Sequence, residues 1–596
     1  VQGKRDGFGK ASYVISMVLA LAGCGGSSMA AMATTTAAPA GAAEQSITNN
    51  QEQGVDEGGI VKASGDVLIV LRRGRLFTVR VGRDDLSPVC RVDAFPPGSS
   101  PEAWYDEMLV HERFVVVVGY SYVYSATELG VFELDPDGCI AHRGTYYLRS
   151  NDYYSSRNYA SRLVDGRLVF YMPHYLGGRP DLRDPAALLA SAPVPALLRH
   201  THDHRRDWEP VITSRDVHVV GEPPPDATLH TVISCDLTRA SLECAAHGIV
   251  GGAGRTFYVS PRAVYVWTTE HRRQAELPPA VVFRLPLDGQ APSALRAWGA
   301  PTDQFSFRED EDALSVLVRS DGSGDWMGEP ERTSGSVGLV RMPLRAFRAD
   351  GASAASWAMY QALPEPTEPG ELQNRFVGDY VLYGNGTSWG YPRRGTSARV
   401  YAHAYRQGGV PVALELPHGV DRIEALGRDA LVAGSDGRDL HMTSIALRQQ
   451  VRTVGHFVRP NAAQGETRSH GFFFLPEHGR DDGTGILALP VRTAGPGYAH
   501  LYHGSAELVF VRVEQLGLDG VGALAAQPDP VDDACRASCT DWYGNARPIF
   551  YRGRIFALLG YEIVEGVLRR GRMQEIDRIH LIRDTPAPRP ALLTAQ

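Results

Sequence analysis

The sequence predicts an all-β fold: one large β-propeller of four-stranded blades. Three observations carry this. A strand unit recurs from about residue 54 to the end of the chain, and four of its eight intervals span 47 to 49 residues, the length of a four-stranded blade. The second strand of each unit is almost wholly apolar, as in Leu168-Val-Phe-Tyr-Met172, Tyr380-Val-Leu-Tyr-Gly384 and Ile555-Phe-Ala-Leu-Leu559, the pattern of a strand buried on both faces. Gly (63) and Pro (39) are spread along the 596 residues, which favours short strands and turns over long helices.

Nine candidate units begin near Asp56, Trp104, Arg162, Arg255, Gln304, Arg375, Arg422, His470 and Arg547. Nine blades follow from that count, or eight if one unit is degenerate. Longer intervals contain loop material at Pro173 to Pro210, Gly322 to Ser336 and Leu516 to Asp541. Third strands alternate more, at Leu76 to Arg80, Val281 to Leu285, Leu508 to Val513 and Ile576 to Leu581. The last unit shows no fourth strand, and Ser46 to Gln51 is expected to supply it and close the ring. Radial packing buries both faces of each blade and leaves only short edges.

The first residues read as a targeting segment. Lys4, Arg5 and Lys10 form a basic start, and Ala11 to Gly23 is an apolar stretch of 13, too short for an ordinary span and suited to a signal-peptide core. Leu21-Ala22-Gly23-Cys24 resembles the lipobox of bacterial lipoproteins. That resemblance implies cleavage before Cys24, a lipid on its sulfur, and a place in the bacterial cell envelope outside the cytoplasm. Gly25, where Asp would retain such a protein at the inner membrane, implies the outer membrane or cell surface if there are two membranes. Gly25 to Ala43 carries no charge and, Met29 and Met32 apart, no large apolar side chain, so it reads as a flexible tether. The expected organisation is a leader at 1–23, a tether at 24–45, the propeller at 46–583 and a flexible tail at 584–596.

Setting Cys24 aside leaves Cys90, Cys139, Cys235, Cys244, Cys535 and Cys539. An even remainder in an exported chain suggests disulfides. Fifteen pairings exist; Cys235 with Cys244 would close a hairpin, Cys535 with Cys539 a small loop, and Cys90 with Cys139 is what remains. No Cys-x-x-Cys or paired-His motif accompanies them, which argues against zinc.

The opening Thr48-Asn-Asn-Gln-Glu-Gln-Gly54-Val-Asp-Glu57, then Ile60-Val-Lys62 and Gly65-Asp66, resembles the start of the secreted bacterial proteins with a C-terminal β-propeller domain, distantly related to WD-repeat proteins. Weaker echoes follow in family order: Ser161-Arg162-Leu163, Tyr258-Val-Ser260, Gln304-Phe-Ser-Phe307, Arg375-Phe376, and His470 with Phe472 and Leu487-Ala-Leu-Pro490. The likeness covers about residues 46 to 583. Gly58-Gly59 departs from the expected Ala-Asp, and the Gln304 region lacks a Met-Asp-Glu sequence. The resemblance implies a fold and a compartment, and no defined activity.

If each unit starts with its innermost strand, the leading polar residues gather around the axis: Asp56, Glu57, Asp106, Arg162, Arg255, Gln304, Arg375, Arg422, His470 and Arg547. Arginine binds carboxylate or phosphate bidentately, so this ring could hold an anionic ligand or acidic segment at the channel mouth; equally, the arginines could pair with neighbouring acids and carbonyls. Asp56 and Glu57 are adjacent on a strand and point to opposite faces, which argues against a paired acid/base. His200, His202 and His204 are weak metal candidates in an Arg-rich insertion. Asp321 to Asp325 and Asp481-Asp482-Gly483 resemble fragments of calcium loops without EF-hand spacing, so calcium stays a minor option and no other cofactor is expected. Tyr120, Tyr122, Tyr124, Tyr146, Tyr147, Tyr153, Tyr154 and Tyr159 suit strands first and an aromatic contact surface second. A net charge of −8 without a basic cluster argues against nucleic acid. The expected role is a non-catalytic, membrane-tethered scaffold for a protein or polysaccharide partner of the envelope. The alternative is an extracellular hydrolase or lyase working at the channel mouth.

Overall fold

The computed structural model describes residues 47–586 apart from 84, 99–102, 151–160, 177–180, 192–193, 201–206, 225–226, 239–240, 271–277, 323–332, 387–394, 449, 494–506, 528–531 and 542–543, and apart from the side chains of Asp106 and Thr493. Contacts divide the chain into Val1–Ala43 and Glu44–Gln596, and every described residue lies in the second unit.

Nine sheets follow one another along the described chain. The first is Val61–Ser64, Val67–Arg72, Arg75–Arg80 and Ser87–Asp93, and the last is Ala546–Tyr551, Arg554–Leu559, Glu562–Arg569 and Arg572–His580. Their second strands are apolar throughout because both faces are covered: Val115 to Val118 are all fully buried. Hairpins close on residues that tolerate positive φ. Asp165 and Gly166 sit at +47° and +74°, as a two-residue turn with two left-handed positions requires.

One apolar cluster joins each pair of neighbouring sheets. The ninth sheet closes on the first, where Ile549, Phe556 and Ile563 pack with Leu68, Phe77 and Val79. The ring therefore has nine blades and an interior distributed between blades rather than one centre.

Three sequence expectations need correction. The last blade supplies its own fourth strand, so Ser46 to Gln51 does not complete it. Ile576 to Leu581 belongs mostly to that fourth strand, Arg572–His580; the true third strand, Glu562–Arg569, hides directly behind the tight turn at Gly560. Nor do Asp56 and Glu57 open the first blade. They pair with Leu163 and Arg162, extending the inner edge of the third blade.

Blade size also departs from four strands in three places. The second and third blades have six strands and the eighth has five. The insertion after Tyr175 sends Ala196–Arg199 and Glu209–Pro210 to the outer edge of the second blade and Val217–Val219, running parallel, to the third. In the eighth blade the inner strand is broken into Ala462–Gln464 and Phe473–Pro476, with the 3-10 turn Ser469–Gly471 between them.

The strand order sets the two ends of the ring apart. Connections from second to third strands, and from blade to blade, emerge at one end. The two longest connections, 176–227 and 526–545, emerge there, as do 387–397 and 494–506, whereas 344–359, between the third and fourth strands of blade five, emerges at the other end.

Candidate functional site: the polar axis

Residues 48–57 run past the inner strands of most blades and tie them together. Asn49 donates from Nδ2 to Glu424 Oε2 (3.0 Å) in blade seven and to the Ser469 carbonyl (3.1 Å) in blade eight. Gln51 donates from Nε2 to the Gln304 carbonyl in blade five at 2.8 Å. Glu52 accepts from the Tyr258 hydroxyl in blade four at 2.7 Å and pairs with Arg308 in blade five at 3.1 Å. A ring of nine blades leaves an axial space that its own leading segment crosses and bonds across.

Lys62 is the hub. It is the only lysine after Lys10, it is 2% exposed, and its Nζ donates to Thr48 Oγ1 (2.8 Å), both carboxylate oxygens of Asp56 (2.9 and 2.8 Å) and the Glu57 carbonyl (2.5 Å). Asp56 also accepts from Asn50 Nδ2 at 3.1 Å.

Glu57 points the other way, as alternation demands. It accepts from the Gln51 amide (3.1 Å) and from His470 Nε2 (3.0 Å). Burial pushes its carboxyl up, but the Arg162 charge and the His470 hydrogen bond outweigh that and hold it at about 2. His470 is held down to about 4, chiefly by burial, so at neutral pH a neutral imidazole donates to a carboxylate. The break in the inner strand of blade eight is what brings His470 to this position.

Most of the other leading residues are engaged as well. Arg162 donates from Nη2 to Gln304 Oε1 and from Nη1 to the Ser161 carbonyl. Arg375 pairs with Glu424 at 2.8 Å and lies over the Phe305 ring, 4.8 Å from its centroid. Arg422 meets Glu424 (2.9 Å), Gln464 (2.7 Å) and the carbonyls of Glu466 and Arg468 (2.7 and 2.8 Å). Arg547 pairs with Glu466 at 3.3 Å. Arg255 is buried on the inner strand of blade four; after burial itself, its charge helps hold His230 at about 3. Asp106 sits on the inner strand of blade two, with its side chain outside the described residues.

The arrangement is a closed lattice of opposite charges and amides. It fixes the segment, and its arginines face carboxylates and carbonyls of the same chain. Sequence reasoning named the arginines but missed their partners Glu424 and Glu466, and missed Lys62 as the partner of Asp56. Two signals were available: Arg422 and Glu424 are two apart on one strand and so share a face, and Lys62 is the single lysine of the folded chain. Gly58 fits here too. A Cβ there would sit 2.3 Å from Glu107 Oε2 and 2.5 Å from Ser161 Oγ, so glycine at this departure from the expected Ala leaves room for the Glu107–Ser161 contact.

Elsewhere, His200 is reached by the Tyr147 hydroxyl, 3.3 Å from Nδ1, whereas His202 and His204 lie outside the described residues, as do Tyr153, Tyr154, Tyr159 and residues 323–325. Asp482 is paired with Arg480 at 2.6 Å. Among the described residues no group of three or more His, Cys, Asp or Glu is placed to hold a metal ion. Tyr124 stacks on Tyr147 at 4.1 Å, and Tyr122 is 64% exposed. The disulfides are Cys90–Cys139, Cys235–Cys244 and Cys535–Cys539. The first staples blade one to blade two and the second lies within blade three.

Residues 45–340 match the family model described as beta propeller domain. No curated protein matches the sequence. Among solved structures, Hsv2 of Kluyvelomyces marxianus is 10% identical, covering 60% of this chain and 97% of its own, with a TM-score of 0.29. A putative 6-phosphogluconolactonase of Bacteroides fragilis is 11% identical, covering 70% and 96%, with a TM-score of 0.23.

Proposed function

The chain belongs to the beta propeller domain family, and from that premise we propose that it is a non-catalytic binding scaffold, tethered to a bacterial envelope membrane through a lipid on Cys24. The observation that carries this reading is the closed axis. Glu57, His470, Arg375, Arg422 and Arg547, which could have formed a channel-mouth site, are engaged by one another, by residues 48–57 and by Glu424 and Glu466. Interaction then falls to the end of the ring where the two longest connections, 176–227 and 526–545, emerge, with a protein or polysaccharide of the envelope as partner. Loops on a rigid scaffold are the usual carriers of recognition, and the leading segment that enters the ring at Ile47 joins the lipid-bearing end to it.

Two measurements test the reading. Radiolabelled palmitate should enter the wild-type protein and not Cys24→Ser. Intact protein cross-linked in its own membrane should retain one stoichiometric partner, and shortening 387–397 or 494–506 should release it. Turnover of a cell-wall polymer that is lost on substituting Arg375 or Glu57, with the fold intact, overturns the scaffold reading in favour of the hydrolase or lyase.

A further inference from the structure

The segment 532–541, which leads into the last blade, does not pack on that blade alone. It reaches across the ring seam to blades one and two. Asp541 pairs with Arg72 at 3.0 Å and Asp533 with Arg73 at 2.9 Å, both on the turn of blade one. Arg75 donates to the Ala534 carbonyl at 2.8 Å. In blade two, the Tyr105 amide donates to Ser538 Oγ at 2.6 Å. Ala537 enters the apolar cluster between blades one and two. Beneath the segment is a small cleft of about 20 Å³, bordered by Arg72, Arg73, Tyr105, Ser538, Asp541 and Asn545.

Three features make this segment poised rather than merely packed. It is closed by Cys535–Cys539, a loop with a sequence separation of 4. Within or beside that loop, Ala534 and Ser538 are held at φ +45° and +50°, a left-handed conformation that non-glycine residues adopt at a cost of about 1 kcal/mol or more. Cys539 is exposed, whereas Cys90, Cys139 and Cys244 are half-buried and Cys235 is fully buried. Thiol–disulfide exchange needs access to a sulfur.

We propose that the segment 532–541 is a redox-sensitive lid over the ring seam, latched by the Cys535–Cys539 disulfide. A dithiol thiolate attacks the exposed Cys539 sulfur, forming a mixed disulfide and releasing Cys535 as the thiolate, which takes up a proton. The second thiol of the reductant then closes its own disulfide and frees Cys539. The protein disulfide gains two electrons and two protons, and the dithiol is oxidised. Freed of the cross-link, Ala534 and Ser538 relax, and the lid withdraws two carboxylates from Arg72 and Arg73.

The test is hydrogen exchange at the Tyr105 amide in the full chain, before and after treatment with a small dithiol, with alkylation and mass spectrometry to show which sulfurs opened. Labelling confined to Cys535 and Cys539, with Tyr105 exchange raised tenfold or more and restored on reoxidation, supports the lid. The Cys535→Ser/Cys539→Ser variant should show the same exchange without reductant, while the Ile233 amide in blade three keeps its protection. Unchanged Tyr105 exchange with both sulfurs alkylated overturns the proposal. So does equal loss of protection at Ile233, which would make the disulfide a general fastening.

Discussion

Two carboxylates in this ring are almost equally buried and end in opposite states. Glu57 at the axis is 2% exposed and Glu128 in blade two is 3% exposed. Burial pushes both up. At Glu57 the Arg162 charge and His470 reverse the shift, to about 2. Among the described residues Glu128 has only the Tyr105 hydroxyl, at 2.7 Å, against the same burial, and it rises to about 7. Desolvation disfavours charge in both places; what differs is whether a cation faces the group. The axis is organised to keep its charges, while the blade wall tolerates a carboxyl by letting it stay protonated.

The two sites should therefore respond to pH with opposite signs. The folded pKa of Glu57 is depressed, so its stabilisation is full above its ordinary value of 4.5 and fades as pH falls towards 2. The folded pKa of Glu128 is raised, so its stabilisation is full below 4.5 and is lost as pH rises through 7.

The largest expected effect is at the axis. Glu57→Ala leaves Arg162 and His470 facing an empty site and should lower unfolding free energy by about 3–5 kcal/mol at pH 7, as removing one partner of a buried pair does; urea denaturation checks this. A loss under 1 kcal/mol would show that the axial lattice carries little stability. Next, Glu128→Gln should raise the denaturation midpoint at pH 8 by about 2 kcal/mol equivalent and do nothing at pH 4, from a shift of two to three pKa steps at about 1.4 kcal/mol each, discounted for relaxation. An equal effect at both pH values would mean that the change acts through packing. Gly58→Ala should cost about 1–3 kcal/mol, the range for overpacking, because its Cβ meets Glu107 and Ser161; pairing it with Ser161→Ala should recover part of the loss. Arg375→Lys should cost least, about 1 kcal/mol, since the charge opposite Glu424 survives and the planar stacking over Phe305 does not. Thermal melts of the last two rank them.

The ring was legible because its signal is local and repeated. Val115 to Val118, Leu168 to Met172 and Ile555 to Leu559 each announce a strand covered on both sides, and the nine unit starts fall within a few residues of nine inner strands. The axis was only half legible. Arg162, Arg375, Arg422, His470 and Arg547 were placed by their position in the unit, but the segment that meets them is bonded across hundreds of residues: Asn49 to Glu424, Gln51 to Gln304, Glu57 to His470. No periodicity encodes such a crossing. The extra strands were hidden for another reason. Ala196–Arg199 is four residues long and Glu209–Pro210 contains a proline, which marks an edge and also reads as a loop.

Lys62 carries a practical corollary. Beyond Lys10 it is the only lysine side chain in the sequence, and its nitrogen is enclosed by Thr48, Asp56 and the Glu57 carbonyl. An acylating reagent applied to the folded ring finds that amine shielded and meets it only in molecules whose centre has come apart. The protein thus contains its own gauge of axial integrity in the peptide that carries Lys62, readable by mass without any engineered label.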